Sequence, residues 1–315
     1  MKQGLLGGIF WAFETIIIGL ALGMTPFVSD EQSLFLAPFV STFLHDAFSA
    51  VYLAVYNGVR GDLPAVWRVV KSKNCRYLAL ASAVGGPVGM TGYVLAVNYM
   101  GASVGAVASA VYPAIGSLLA VIFLKEKIRP YQWIFLICTL LGVFGLSYSP
   151  ELQVTDFRLG LIGAFMCAFG WGTEGVILSK CLKDAQIRSE YALQIRQSVS
   201  AFVYGVLVLP LLKGSSLTLR LFEKGNLLTL GTIAAAAFCA TVSYLFYYTA
   251  IAKVGVAKAM GLNITYTAWA IIFGVVLFRN YAILNVGTVL CSAVVVVCGI
   301  LSAVDFKQLW SVGKS

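Results

Sequence analysis

The chain alternates long apolar runs with short polar links, most of them basic. At roughly 20 residues per bilayer crossing, ten runs are long enough to span. They lie near 4–24, 34–57, 76–99, 103–124, 131–149, 158–180, 190–212, 226–251, 256–278 and 282–304. Two of them break their apolar pattern in the same way. Trp11-Ala12-Phe13-Glu14 in the first and Trp171-Gly172-Thr173-Glu174 in the sixth repeat the order W-x-x-E at a distance of 160 residues. Residues i and i+3 share a helix face, so each helix presents an indole and a carboxylate together. A carboxylate at bilayer depth is costly and points to function.

The repetition extends well beyond these two helices. Ala96-Val97-Asn98-Tyr99-Met100-Gly101 matches Ala250-Ile251-Ala252-Lys253-Val254-Gly255 at an offset of 154. The same offset of 154 pairs Tyr93 with Tyr247, Ser109 with Asn263, Tyr112 with Tyr266, and Lys125 with Arg279. In the second run of each half, Leu44-His45-Asp46 and Ser49-Ala50 match Ile195-Arg196-Gln197 and Ser200-Ala201. The chain therefore divides into a first five-helix repeat (1–150), a second (158–305) and a tail (306–315). Five is odd, so the second copy enters the membrane inverted. Inverted repeats with a site at their midplane interface characterise secondary transporters. The expected fold is all-α: ten transmembrane helices arranged as two inverted-topology five-helix repeats. Small residues around the tight links at Gly101 and Gly255 (Gly105, Ala106, Ala108, Ser109, Ala110; Ala257, Ala259, Gly261) let these helices approach closely.

Composition agrees with a polytopic membrane protein. Of 315 residues 60% are hydrophobic and 11% charged, against about 25% charged in soluble domains. The net charge of +9 does not form a basic, aromatic-interleaved patch, which argues against nucleic acid. Sixteen Lys/Arg fall on one side: Lys2, Arg60, Arg68, Lys71, Lys73, Arg76, Lys125, Lys127, Arg129, Lys180, Lys183, Arg188, Lys253, Lys258, Lys307 and Lys314. Five fall on the other (Arg158, Lys213, Arg220, Lys224, Arg279). That bias puts both termini in the cytoplasm of a multi-pass protein of the cytoplasmic membrane. The seven cysteines are odd in number, lack a C-x-x-C pair and read as packing residues. The first apolar run is long and interrupted by Trp11 and Glu14, unlike a cleaved signal peptide.

Several segments together resemble the drug/metabolite transporter superfamily of the EamA type, and more closely the LicB-type choline permeases. They are Leu44-His45-Asp46, Gly86-Pro87-Val88-Gly89-Met90, Ser109-Ala110-Val111-Tyr112-Pro113-Ala114-Ile115, Trp171-Gly172-Thr173-Glu174, Ile195-Arg196-Gln197, Ser243-Tyr244-Leu245-Phe246-Tyr247-Tyr248 and the run from Ala257 to Tyr266. The resemblance covers nearly the whole chain and implies transport of choline or a close quaternary ammonium.

Such a substrate has no N–H to donate, so aromatic faces and diffuse negative charge must hold it, each cation–π contact contributing about 0.5–2 kcal/mol. The candidate substrate-binding residues are Trp11, Glu14, His45, Asp46, Tyr112, Trp171, Glu174, Tyr244, Tyr247 and Tyr266, with Tyr248 and Trp269 as further rings. For any single tyrosine the competing reading is packing or interfacial anchoring. For Glu174 it is a structural hydrogen bond across helices, and for His45-Asp46 a buried polar clamp. Glu14, Asp46 and Glu174 are also the groups that could carry a coupling proton, exchanged for substrate or moving with it. Arg196 beside a cationic substrate is unfavourable, so it is expected to neutralise Asp46 or Glu174 or to face a cytoplasmic vestibule. Lys258 is expected to snorkel to the interface. No P-loop, metal-ligand spacing or nucleophile–base set is present, so no enzyme activity and no cofactor are expected. The expected partners are a small cation and lipid, with the chain a monomer or weak dimer.

The function expected is choline import by alternating access, driven by membrane potential. The alternatives are an exporter of amino acids or other amphipathic metabolites and, in a different class, a receptor or scaffold. Three anions against one cation favour a cationic substrate, and a scaffold needs neither the repeat nor the intramembrane charges.

Overall fold

The computed structural model describes residues 1–101, 105, 110–147, 155–277, 279 and 281–306. Among these no strand occurs. Nine helices are long and apolar enough to cross a membrane: α1 (Lys2–Leu22), α2 (Glu31–Val59), α3 (Asn74–Met100), α5 (Pro130–Ser147), α6 (Phe157–Cys181), α7 (Ser189–Leu211), α8 (Lys224–Val254), α9 (Val256–Val276) and α10 (Val286–Ala303). The remaining expected span, 103–124, is described as the 13-residue helix α4 (Tyr112–Leu124). Ser109, Ala106 and Ala108, used above in the repeat and the small-residue link, lie outside the described residues, as do Lys307 and Lys314. The protein is an all-α, multi-pass membrane protein.

Local chemistry explains where the helices start and bend. Asp30 precedes α2 and accepts from the Ser33 N–H at 2.7 Å and the Ser33 hydroxyl at 2.9 Å. These donors favour its ionised form and hold its carboxyl below the ordinary value. Asp156 and Asn285 cap α6 and α10 in the same manner. Pro38 sits inside α2, and Ser41 and Thr42 both donate to its carbonyl, at 3.2 and 2.7 Å. In α3 the sequence Val84-Gly85-Gly86-Pro87-Val88 winds as a wide π-turn. Pro87 cannot donate, and the glycine pair makes the looser turn sterically possible. A second π-turn, Tyr204–Val208, interrupts α7 ahead of Pro210.

Helix packing is symmetric under exchange of each helix in the first five with the helix five places later. α1 packs on α8 and α3 on α6; α2 meets α7, α5 meets α10, and α4 meets α9. Contacts of α4 with α6 are matched by those of α9 with α1. The backbone carries the same relation. Among the described residues, six have positive φ, and they form three pairs at helix ends. Gly101 (81°) and Gly255 (88°) end α3 and α8; Lys125 (57°) and Arg279 (51°) follow α4 and α9; Gly61 (71°) and Lys213 (58°) follow α2 and α7. The positive-φ turn at Gly255 joins α8 to α9 with no further loop residue, which glycine allows at little steric cost.

Cross-links between loops cluster at the end that carries Lys2 and the end of α10, called here the terminal end. Asn74 donates to Asp184 at 2.8 Å, Arg129 pairs with Asp305 at 2.9 Å, and Arg188 reaches Asp62 at 3.4 Å.

Candidate functional site

One cavity of about 380 Å³ occupies the bundle centre and runs toward the α1–α2 connection, from Glu174 and Tyr247 up to Leu22 and Pro38. All ten candidate residues line it. Trp11 and Glu14 come from α1, His45 and Asp46 from α2, Tyr112 from α4, and Trp171 and Glu174 from α6. Tyr244 and Tyr247 come from α8 and Tyr266 from α9. Tyr248 is there as well, whereas Trp269 is not; its ring stacks near Phe273 at 6.3 Å.

The aromatic rings form two related corners. Trp171 meets Tyr112 edge-on at 5.5 Å and 89°, and Trp11 meets Tyr266 edge-on at 6.4 Å and 74°. Each tryptophan thus packs on a tyrosine from the opposite half. Trp11 also meets Tyr244 at 4.9 Å, and Trp171 lies near Tyr93 at 6.1 Å. Tyr112 is tied to Asn263, whose Nδ2 donates to its hydroxyl at 3.5 Å.

The charges are arranged unequally. Arg196 donates from Nε to Glu174 at 2.9 Å, and from Nη1 to Asp46 at 3.3 Å and to the Gln197 side-chain Oε1 at 2.6 Å. The expectation that Arg196 neutralises Asp46 or Glu174 is met for both, and the guanidinium lines the central cavity rather than the vestibule at the terminal end. Tyr248 donates to the same Glu174 oxygen at 3.2 Å. The guanidinium also lies over the Tyr244 ring, 5.0 Å from its centroid, so one face of that candidate ring already holds an internal cation. Among the described residues Glu14 has no guanidinium partner. Its neighbours are the Thr15 hydroxyl at 3.4 Å and His45 Nε2 at 3.8 Å. His45 turns Nδ1 to Asp46 at 3.0 Å.

Glycines set the wall opposite. A Cβ on Gly85 would overlap Glu174 Oε2, and one on Gly89 would come within 2.9 Å of the Trp171 indole. The π-turn therefore brings bare backbone against both members of the W-x-x-E pair in α6. Sequence reasoning did not single out Gly85, Thr15, Ser41, Thr42 or Tyr93 as lining residues. The glycine doublet before a proline inside an apolar run was the available signal for Gly85. The hydroxyls carried none, because a Ser or Thr bonded back to its own helix looks the same in sequence wherever it faces.

A bundle of membrane helices around a central polar and aromatic cavity is an architecture that transporters use. Residues 4–148 match the EamA-like transporter family. The protein LicB of Haemophilus influenzae is similar, 30% identical over 202 residues that make up 64% of this chain and 67% of that protein. The chain belongs to the EamA-like transporter family and is a membrane transporter. A protein of known crystal structure shares the fold, with a TM-score of 0.69 over 96% of this chain and 95% of the other at 15% identity.

Proposed function

We propose that the protein imports choline, or a close quaternary ammonium compound, by alternating access between two inverted five-helix repeats. The observation that carries this reading is the content of the central cavity: two tryptophans, a set of tyrosines and three carboxylates face it, against one guanidinium. Rings supply cation–π attraction, and the excess of carboxylates supplies the diffuse negative charge a quaternary nitrogen requires. The repeat is supported by the exchange-symmetric packing and by the paired positive-φ helix ends. The excess of Lys/Arg on the terminal end supports cytoplasmic termini in the cytoplasmic membrane. The cavity lies within one chain, so a monomer suffices. Glu14, Asp46 and Glu174 are the groups available to a coupling proton.

An amino-acid exporter would need a cation for the substrate carboxylate. Arg196 stands in the cavity, but its Nε and Nη1 are already given to Glu174, Asp46 and Gln197. The test is radiolabelled choline uptake into proteoliposomes, with competition by betaine, by a neutral amino acid and by 3,3-dimethylbutanol, the neutral carbon isostere of choline. Saturable uptake inhibited by unlabelled choline and little affected by the isostere is expected. Uptake no faster than in empty liposomes would remove the proposal.

A further inference from the structure

A second cavity of about 290 Å³ lies at the terminal end, bounded by Ser117, Glu126, Ser179, Ile251, Ala257 and Lys258. It shares α4, α6, α8 and α9 with the central cavity but none of its lining residues, and α5 and α10 border it in addition. On α6 the central cavity ends at Leu178 and the second begins at Ser179; on α8 the two are bounded by Tyr248 and Ile251. Between them, among the described residues, lie the fully buried side chains of Val256 and Met260 of α9, which border neither; of the two, Met260 comes nearer to Gly175 of α6. Its thioether fills the space left by two glycines: a Cβ on Gly116 of α4 would overlap Met260 Sδ, and one on Gly175 of α6 would overlap Met260 Cε. Tyr247 Oη, on the central-cavity side, would be 3.9 Å from that second Cβ.

A polar clasp stands beside this apolar layer. Glu126, in the short link between α4 and α5, accepts from the Val256 N–H at 2.9 Å and the Ala257 N–H at 3.4 Å. It thereby caps the first turn of α9, which bears Met260, with a carboxylate that belongs to the opposite half.

We infer that the two cavities are the two ends of one translocation path, that Met260 seated on Gly116 and Gly175 is its closed inner gate, and that Glu126 is the latch holding α9 in the closed position. Met suits the place, since an unbranched, flexible thioether fits a glycine-lined seat and can be withdrawn from it as the helices separate. Opening requires α9 to move relative to α4, and the Glu126 contacts are polar bonds spanning that boundary. Three lysines (Lys127, Lys183, Lys258) border the inner cavity. Lys258, expected to snorkel to the interface, contributes to this rim. The rim leaves no net attraction for a cation once it has passed the gate, which suits a release vestibule. That last point rests on the cationic reading above; the gate does not.

The test is substrate-free. In full-length protein whose native cysteines are replaced by serine or alanine, Thr42→Cys reports on the central cavity and Lys183→Cys, at an exposed position, on the inner one. Oriented vesicles are treated with a membrane-impermeant maleimide from each side. Lys183→Cys is expected to label from the terminal side, and Thr42→Cys from the α1–α2 side. Glu126→Gln and Met260→Ala are each expected to raise labelling of Thr42→Cys from the terminal side about 3- to 10-fold, the range set by losing one helix cap. Glu126 lies in a link, so its replacement leaves the helix packing intact even if Met260→Ala does not fold. An unchanged terminal-side rate in Glu126→Gln would overturn the gate, whether or not choline is the cargo.

Discussion

Glu14 and Glu174 bring the same carboxylate to one cavity but are held differently. Glu174 gives one oxygen to Arg196 at 2.9 Å and to the Tyr248 hydroxyl at 3.2 Å, whereas among the described residues Glu14 meets a hydroxyl at 3.4 Å and an imidazole at 3.8 Å. Removing the charge of each should therefore have different consequences. Glu174→Gln deprives a buried guanidinium of an anionic partner and should lower stability by about 1–3 kcal/mol, read as a fall in Tm, while weakening choline and 3,3-dimethylbutanol alike. Glu14→Gln should leave Tm nearly unchanged and narrow the preference for choline over the isostere by about 1–3 kcal/mol, roughly 5- to 150-fold. The reverse assignment, Glu174→Gln narrowing the preference and Glu14→Gln not, would make Glu174 the reader of the cation. Trp171→Phe keeps a ring but weakens its quadrupole, so choline affinity should fall about 2- to 12-fold. An unchanged affinity would leave Trp171 a packing residue against Tyr112 and Gly89.

At the scale of elements, the glycines of α3 decide how close the carboxylate can come. Glu174 is pinned by Arg196 and Tyr248, so a methyl group at Gly85 meets an acceptor that cannot swing away. Gly85→Ala should cost about 1–3 kcal/mol as overpacking and suppress transport with it. Gly231→Ala is the control: that glycine faces outward in α8 with nothing within 4 Å, and should be neutral or stabilising by about 0.5–1 kcal/mol. Equal Tm values for the two variants would mean α3 has room to shift and does not set the position of Glu174. The helices themselves were legible because a bilayer span leaves a long apolar run that needs no tertiary context. The W-x-x-E pairs were legible for the opposite reason, polarity where polarity is costly. What sequence could not show was direction within a helix. Ser41 and Thr42 satisfy their hydroxyls on the Pro38 carbonyl whichever way α2 is turned. That Arg196 would span both Asp46 and Glu174, rather than choose one, depends on α2, α6 and α7 meeting at one level.

For the whole molecule, the question is what moves charge through the membrane field. The cavity extends toward the α1–α2 connection, and with Met260 as the proposed gate beneath it this conformation would be the one open to the side opposite the termini. On the proposed topology, with both termini in the cytoplasm, that side faces outward, and on the proposed function a cation loaded there would pass inward when the gate opens. Entry of one positive charge into a negative interior is favoured by about 2.3 kcal/mol per 100 mV, which corresponds to tens-fold accumulation. Valinomycin with matched potassium on both sides of the vesicle removes this term while leaving the choline gradient, the protein and its cavity unaltered. Accumulation should then fall to the level set by concentration alone. If it persisted at zero potential but collapsed with an imposed pH gradient, the driving force would be proton coupling through Glu14, Asp46 or Glu174. If neither manipulation altered it, electrogenic uniport would be wrong and uptake would have to be balanced by exchange for another cation.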